Sequence, residues 1–188
     1  MQNKFNIIAK AKIENNALYR NDEAVFSVYA LDFADFVKQS YKELNINYPK
    51  FYKMDNLSKL GILCAELVLG ETYDHQDVAL VLSNKSGSLD TDVRHQESIQ
   101  DADAFYPSPA VFVYTLANIC LGEISIRHDF KSENIFLVSE EFDADTVYAQ
   151  ATYLLESKKA TYVLCGWVEL FEEKYQSVLY LVGNRNDV

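Results

Sequence analysis

The sequence predicts an α/β fold, a mixed sheet with helices on both faces, and three observations carry that prediction. Consecutive apolar runs at Val78–Leu82 and Ile135–Val138 have the length and β-branched content of strands covered on both sides. Longer stretches, Asn56–Leu69, Ala110–Ile124 and Ala144–Ser157, place apolar residues at helical spacing. The chain closes with two more strand-like runs, Ala160–Val168 and Gln176–Val182, joined by the polar Glu172-Glu173-Lys174 of a hairpin turn.

The elements follow in order. Lys4–Ile13 alternates Phe5, Ile7, Ala9, Ala11 and Ile13 with more polar residues, the period of a strand with one face on a core. After a break at Glu14-Asn15-Asn16, Glu23–Ala30 is a short extended segment through Val25, Phe26, Val28 and Tyr29. Asp32 caps a short helix carrying Phe33, Phe36, Val37, Tyr41 and Leu44, which ends before Pro49. The helix Asn56–Leu69 is apolar around most of its circumference and is expected to be buried on more than one side. Asp77–Ser83 is a central strand that runs into a polar loop, Ser83–Ser88, with one Gly and hence no phosphate-binding pattern. Thr91–Ile99 has weak helical spacing, and Tyr106-Pro107-Ser108-Pro109 stops it before the apolar helix Ala110–Ile124. Glu133–Ser139 reads as a third buried strand, and Asp143 caps the helix Ala144–Ser157.

With 188 residues, 49% of them hydrophobic, and only 6 Gly and 3 Pro, the chain is expected to form one domain over 1–188 rather than a disordered or repetitive segment. A formal net charge of −11 argues against nucleic acid as a partner and counts against other acidic partners. The three cysteines, Cys64, Cys120 and Cys165, lie far apart in apolar segments and read as reduced core residues. No signal-peptide pattern is found at the N-terminus and no apolar run has the length of a membrane span, so a soluble, cytoplasmic protein is expected. His75, His95 and His128 lie in polar segments without metal-ligand spacing and are expected at the surface; no metal or cofactor is expected.

Four stretches resemble the N-terminal half of the β-ketoacyl synthases of the thiolase-like superfamily. They are Phe51–Leu60 with its Met54-Asp55 pair, Val78–Gly87, Leu89–Asp92, and above all Tyr106–Asn118 continuing to Gly122–Arg127, which is similar to the family's proline, Phe, Thr-Leu-x-Asn and Gly-Glu segment. Gly166 resembles the family's glycine after its fourth strand. The resemblance spans Tyr48–Val182. It implies a single N-terminal-like ketosynthase domain, a thiolase-like half-fold: a five-stranded mixed sheet with helices on both faces, one of which would ordinarily pack against a second copy. It also implies a dimer in which the third strand pairs across the axis, which makes Ile135, Phe136, Leu137 and Val138 interface candidates.

The family's nucleophilic cysteine would follow that third strand at a helix N-terminus, where the chain has Ser139-Glu140-Glu141-Phe142-Asp143. Glu140 or Glu141 therefore occupies a degenerate nucleophile position, and the family's catalytic histidines belong to the half that this sequence does not contain. The resemblance thus implies a non-catalytic accessory or partner subunit in fatty-acid or polyketide-type acyl-chain synthesis. Its partner is expected to be a second copy or an intact ketosynthase, with acyl carrier protein a further candidate. Two alternatives stay open. Altered acyltransferase chemistry on thioesters requires Ser139, Glu140, Glu141 or Cys165 to line an accessible pocket. An acyl or aromatic ligand-binding module would use the 13 Tyr and 11 Phe as its lining.

Overall fold

The computed structural model describes residues 5–29, 32–70, 77–101, 103 and 105–184. Along the chain run β1 (Phe5–Glu14), β2 (Ala17–Arg20), β3 (Glu23–Ser27), α1 (Phe33–Glu43), a 3-10 turn (Pro49–Lys53), α2 (Asn56–Leu69), β4 (Val78–Asn84) and α3 (Leu89–Ile99). They continue with α4 (Pro109–Val113), α5 (Ile119–His128), β5 (Asn134–Val138), α6 (Ala144–Glu156), β6 (Tyr162–Phe171) and β7 (Lys174–Asn184). The strands form a seven-stranded mixed sheet in the order β3-β2-β1-β7-β6-β4-β5. β5, β4 and β6 are parallel, and the remaining neighbours are antiparallel.

Seven strands stand where the resemblance implied five. The addition comes from Ala17–Arg20 and its pairing with β3, a segment too short for periodicity to reveal. Two-residue turns build the hairpins: Asn15-Asn16, Asn21-Asp22 and Glu172-Glu173 all have positive φ, between 48° and 70°. That geometry matches the twist of antiparallel strands and suits Asn and Asp. The end hairpin falls where the sequence placed it.

Helices cover both faces. The larger core gathers Phe36, Phe51, Leu60, Ile62, Leu63, Leu121 and Ile124 from α1, the 3-10 turn, α2 and α5 over one face of the sheet. On the other face α6 packs Val147, Ala151, Leu154 and Leu155 against Ala79, Val81, Val163 and Cys165. A bulge in β1 between Ile7 and Ala9 shifts the register against β7.

Side-chain caps fix the helix starts. Asp32 accepts from the Asp35 N–H at 2.8 Å, Asp55 from Ser58 at 3.1 Å and Asp143 from Thr146 at 3.0 Å. Glu173, in the distant hairpin turn, accepts from the N–H of Phe33 at 2.8 Å and so ties the start of α1 to the β6–β7 hairpin.

Three expectations need correction. Ala110–Ile124 is not one helix: at the break the carbonyl of Thr115, which a continuous helix would offer to Ile119, accepts the Ser88 hydroxyl at 2.7 Å. Ile119 donates instead to Leu116 at 2.9 Å, and the helix restarts. The stretch Leu89–Asp92, which by the resemblance would belong to the loop after the family's second strand, opens α3, with Ser88 at its N-cap position. The β5 strand is half-buried, not central, since it ends the strand order and exposes Asn134 and Val138. Gly166 lies inside β6, within the run Ala160–Val168 that the sequence reads as a strand.

Candidate functional site

The parallel strands β4, β5 and β6 deliver their C-terminal ends to one rim of the sheet, the place where open α/β sheets present their ligand sites. The loop after β4 and the loop after β5 meet there. Lys85 reaches the Glu140 carboxylate at 2.8 Å. From β6, Glu169 accepts the N–H groups of Lys85 at 2.7 Å and Ser86 at 3.1 Å, and also takes the Ser86 hydroxyl. The nest of backbone donors in this loop is thus filled by an internal carboxylate.

Ser139–Phe142 spans the gap between β5 and α6. Ser139 hydrogen-bonds back to Asn84 through its N–H at 2.9 Å, and its hydroxyl donates to the carbonyl of Glu141 at 2.8 Å. The Glu140 side chain is 89% exposed, and the Lys85 ammonium holds its carboxyl below the ordinary value. Together with Phe142–Asp145 these residues line an open depression of about 370 Å³. Among the described residues no histidine lines it; the titratable groups on its wall are the carboxylates of Glu140, Glu141, Asp143 and Asp145.

The thiols are elsewhere. Burial pushes Cys64 and Cys165 up to about 12, and Cys120 well above its ordinary value. Such thiols are protonated and inert at neutral pH. Cys165 does lie on the wall of an apolar groove of about 260 Å³ between the first turns of α6 and strands β1 and β7. This groove, with Phe5, Ile7, Tyr148 and Val182 on its walls, reaches Phe142. Tyr148 and Tyr153 are the exposed aromatics of α6, while Val147, Ala151, Leu154 and Leu155 are spent on the sheet.

The histidines depart from expectation. His128 is not at the surface: its side chain is 11% exposed, stacks on Phe130 at 5.3 Å and lies 3.6 Å from Glu66. His95 is half-buried against Phe112. His75 lies outside the described residues. Sequence reading also missed the role of Glu123, a buried carboxylate on α5 that accepts the Tyr114 hydroxyl at 2.8 Å and meets Lys50 at 2.6 Å. The signal was available: a lone charge inside an apolar helix. Among the described residues no three His, Cys, Asp or Glu side chains are grouped to hold a metal ion, and no helix is long and apolar enough to cross a membrane.

Ile135, Phe136, Leu137 and Val138 lie together on β5, whose outer edge pairs with no other described strand. Glu133 accepts from Leu80 and Ser139 donates to Asn84, so odd-numbered residues face β4. The N–H and C=O groups of Asn134, Phe136 and Val138 therefore point outward.

This architecture matches solved structures. The ishigamide ketosynthase/chain length factor superposes with a TM-score of 0.70 at 17% identity, over 98% of this chain and 63% of that one. The fold is ketosynthase-like. The complex of the ketosynthase ApeO with its chain length factor ApeC from Xenorhabdus doucetiae gives a TM-score of 0.62 at 15% identity, over 96% of this chain and 79% of that one. A type II acyl-carrier protein in complex with its hexaketide-bound ketosynthase gives 0.63 at 14%, over 96% and 62%. The chain thus spans less than two thirds of the first and third of these chains. No family model and no curated protein matches the sequence.

Proposed function

We propose that this chain is a non-catalytic, ketosynthase-like partner subunit in polyketide-type or fatty-acid acyl-chain synthesis, held to an intact ketosynthase through the free edge of β5. The observation that carries the reading is the rim at Ser139–Asp143. The position of the nucleophile holds an exposed Glu140 paired with Lys85 and a neighbouring Glu141, while every described thiol is buried and protonated. The fold's likeness to ketosynthase and chain length factor structures supports the same reading.

The β5 edge supplies the means of attachment. It carries no Pro and no charge between Asn134 and Val138, so two of the devices that blunt an edge are missing from it. In a symmetric antiparallel pairing the outward groups of Phe136 would face those of its counterpart, with Asn134 opposite Val138.

Co-expression with a ketosynthase from the same organism, followed by size exclusion with light scattering, tests this directly. A defined heterodimer is expected, and Val138→Pro, which removes one outward N–H from an edge strand, should dissolve it without lowering the melting temperature of the chain alone. A chain that stays separate from the ketosynthase, or that turns over acyl thioesters alone, sinks the proposal. A second reading, an acyl or aromatic ligand-binding module, is favoured by the apolar groove that reaches Phe142. Calorimetric titration with medium-chain acyl thioesters separates the two.

A further inference from the structure

The apolar groove beside α6 does not end at Tyr180. That residue also stands on the wall of a second, polar trough, so the two form one continuous cleft over the outer face of β1 and β7. The strand pleat explains the alignment. Leu179 and Leu181 turn into the larger core, so Gln176, Val178, Tyr180 and Val182 stand in line on the opposite face, the side of α6. From Gln176 to Val182 that line is about 20 Å long. Its ends differ in kind. The groove, about 260 Å³, has Phe5, Ile7, Phe142 and Tyr148 on its walls, and among the described residues no charged side chain lines it. The trough, about 480 Å³, is lined by Lys10, Lys12, Glu14, Tyr19, Asp22 and Gln176.

The charges of the trough select what can lie in it. Its two cations each have an anion: Lys10 meets Asp22 at 2.6 Å, and Lys12 meets Glu14. A group with a net charge of either sign therefore meets as much repulsion as attraction there. Hydroxyl or amide groups find donors and acceptors instead, in the phenols of Tyr19 and Tyr180 and in the Gln176 carboxamide, which donates to Glu14 at 3.5 Å. In the groove a polar group would lose its water without a partner, while an apolar chain gains by burial. The concave shape suits one molecule rather than a bilayer surface.

We infer that this cleft binds a single amphiphile, with its apolar chain in the groove and its head, polar but of no net charge, in the trough. The inference rests on the ligand-binding reading of the groove and adds to it the chemistry of the head. It stands whether or not the β5 edge binds a ketosynthase.

Three amphiphiles with the same decyl chain test it, each below its micelle concentration: decyl maltoside, decyl sulfate and decyltrimethylammonium. The reporter is built in, because the ring of Trp167, the single tryptophan, lies 6.1 Å from that of Phe142 on the groove wall. Its emission should change as the groove fills. Decyl maltoside is expected to bind roughly fivefold or more tightly than either charged amphiphile. Ile7→Asp should weaken the maltoside roughly tenfold or more, because it places a charge at the mouth of the groove. Glu14→Gln, which leaves Lys12 without its anion, should raise the affinity of decyl sulfate relative to that of the maltoside. Equal affinities for all three, lost together in Ile7→Asp, overturn the inference about the head and leave the ligand-binding reading standing. Binding of none of them, nor of medium-chain acyl thioesters, sinks both. Full binding of the maltoside by Ile7→Asp with an unchanged circular-dichroism spectrum also overturns the inference. So does tighter binding to phosphatidylcholine vesicles than to dispersed maltoside, or self-association of the chain that Ile7→Asp abolishes, since a bilayer or a second copy would then cover the cleft.

Discussion

Asp55 and Asp77 are carboxylates that the fold treats in opposite ways. Burial raises Asp55 above its ordinary value, and the hydrogen bonds from Ser58 and Thr91 only partly offset this. Its native form binds protons that its unfolded form releases, so this contribution is full below the ordinary carboxylate value and is lost as pH rises through the native pKa. Asp77 is lowered, first by the Thr161 hydroxyl and also by Ser132, and its contribution is present above the ordinary value and lost as pH falls through the native pKa. Urea midpoints across the acid range should therefore show Asp77→Asn flattening the acid limb. Asp55→Asn, which keeps an acceptor for the cap, should leave neutral-pH stability equal or higher, and Asp55→Ala should cost about 1 kcal/mol. Gly166 has φ of 148°, and an added Cβ would run into the carbonyl oxygen of Val178. Gly166→Ala should cost about 2 kcal/mol or more by chemical denaturation. At this scale the caps Asp32 and Asp143 were legible, because a capping residue acts on the next turn of its own helix. The demand on Gly166 was not, because it comes from the neighbouring strand.

Among elements, the helices and strands that bury a continuous face were readable: α2 coincides with Asn56–Leu69, and β4 is buried along its whole length. What escaped was decided by partners distant in sequence. The break between α4 and α5 lies where the Ser88 hydroxyl meets Thr115, and the place of β5 at the end of the strand order leaves it half-open although its sequence resembles that of a central strand. The candidate rim divided the same way. Ser139–Asp143 was located from the sequence, but Lys85 and Glu169, which fill it, reach it from β4 and β6. The β6–β7 hairpin offers a test of turn chemistry. Glu172, at φ of 48°, sits where Asn is better suited, so Glu172→Asn should raise stability by about 0.5 kcal/mol in urea unfolding. Glu173 must stay, because its carboxylate also serves the N–H of Phe33. Glu173→Gly should lose more at the start of α1 than it gains in the turn, and hydrogen exchange at Phe33 would report that loss.

For the whole molecule the decisive asymmetry is that, among the described residues, one face of a seven-stranded sheet lies under α1, α2 and α5 while the other lies under α6 alone. The uncovered part of that face is not uniform. Toward Phe5 and Val182 it forms the apolar groove beside α6, and toward Lys10 and Lys12 it becomes a polar trough of about 480 Å³, with Tyr180 shared by both. The lysines are already paired, Lys10 with Asp22 and Lys12 with Glu14, so the trough has little charge left to offer an anion. The groove is different, because its apolar walls are in place without any change of fold. A dye that fluoresces on apolar surfaces, such as anilinonaphthalene sulfonate, should therefore bind the native chain in buffer, well below the unfolding temperature. Ile7, 59% exposed at the mouth of the groove, can be changed at small cost to the core. Ile7→Asp should remove most of the dye signal while leaving the melting temperature within a few degrees. If the signal survives Ile7→Asp but falls in a Phe112→Ser, Leu116→Ser variant, the exposed apolar side chains of Phe112 and Leu116 are the stickier surface, and the groove beside α6 is a passive consequence of a half-covered sheet.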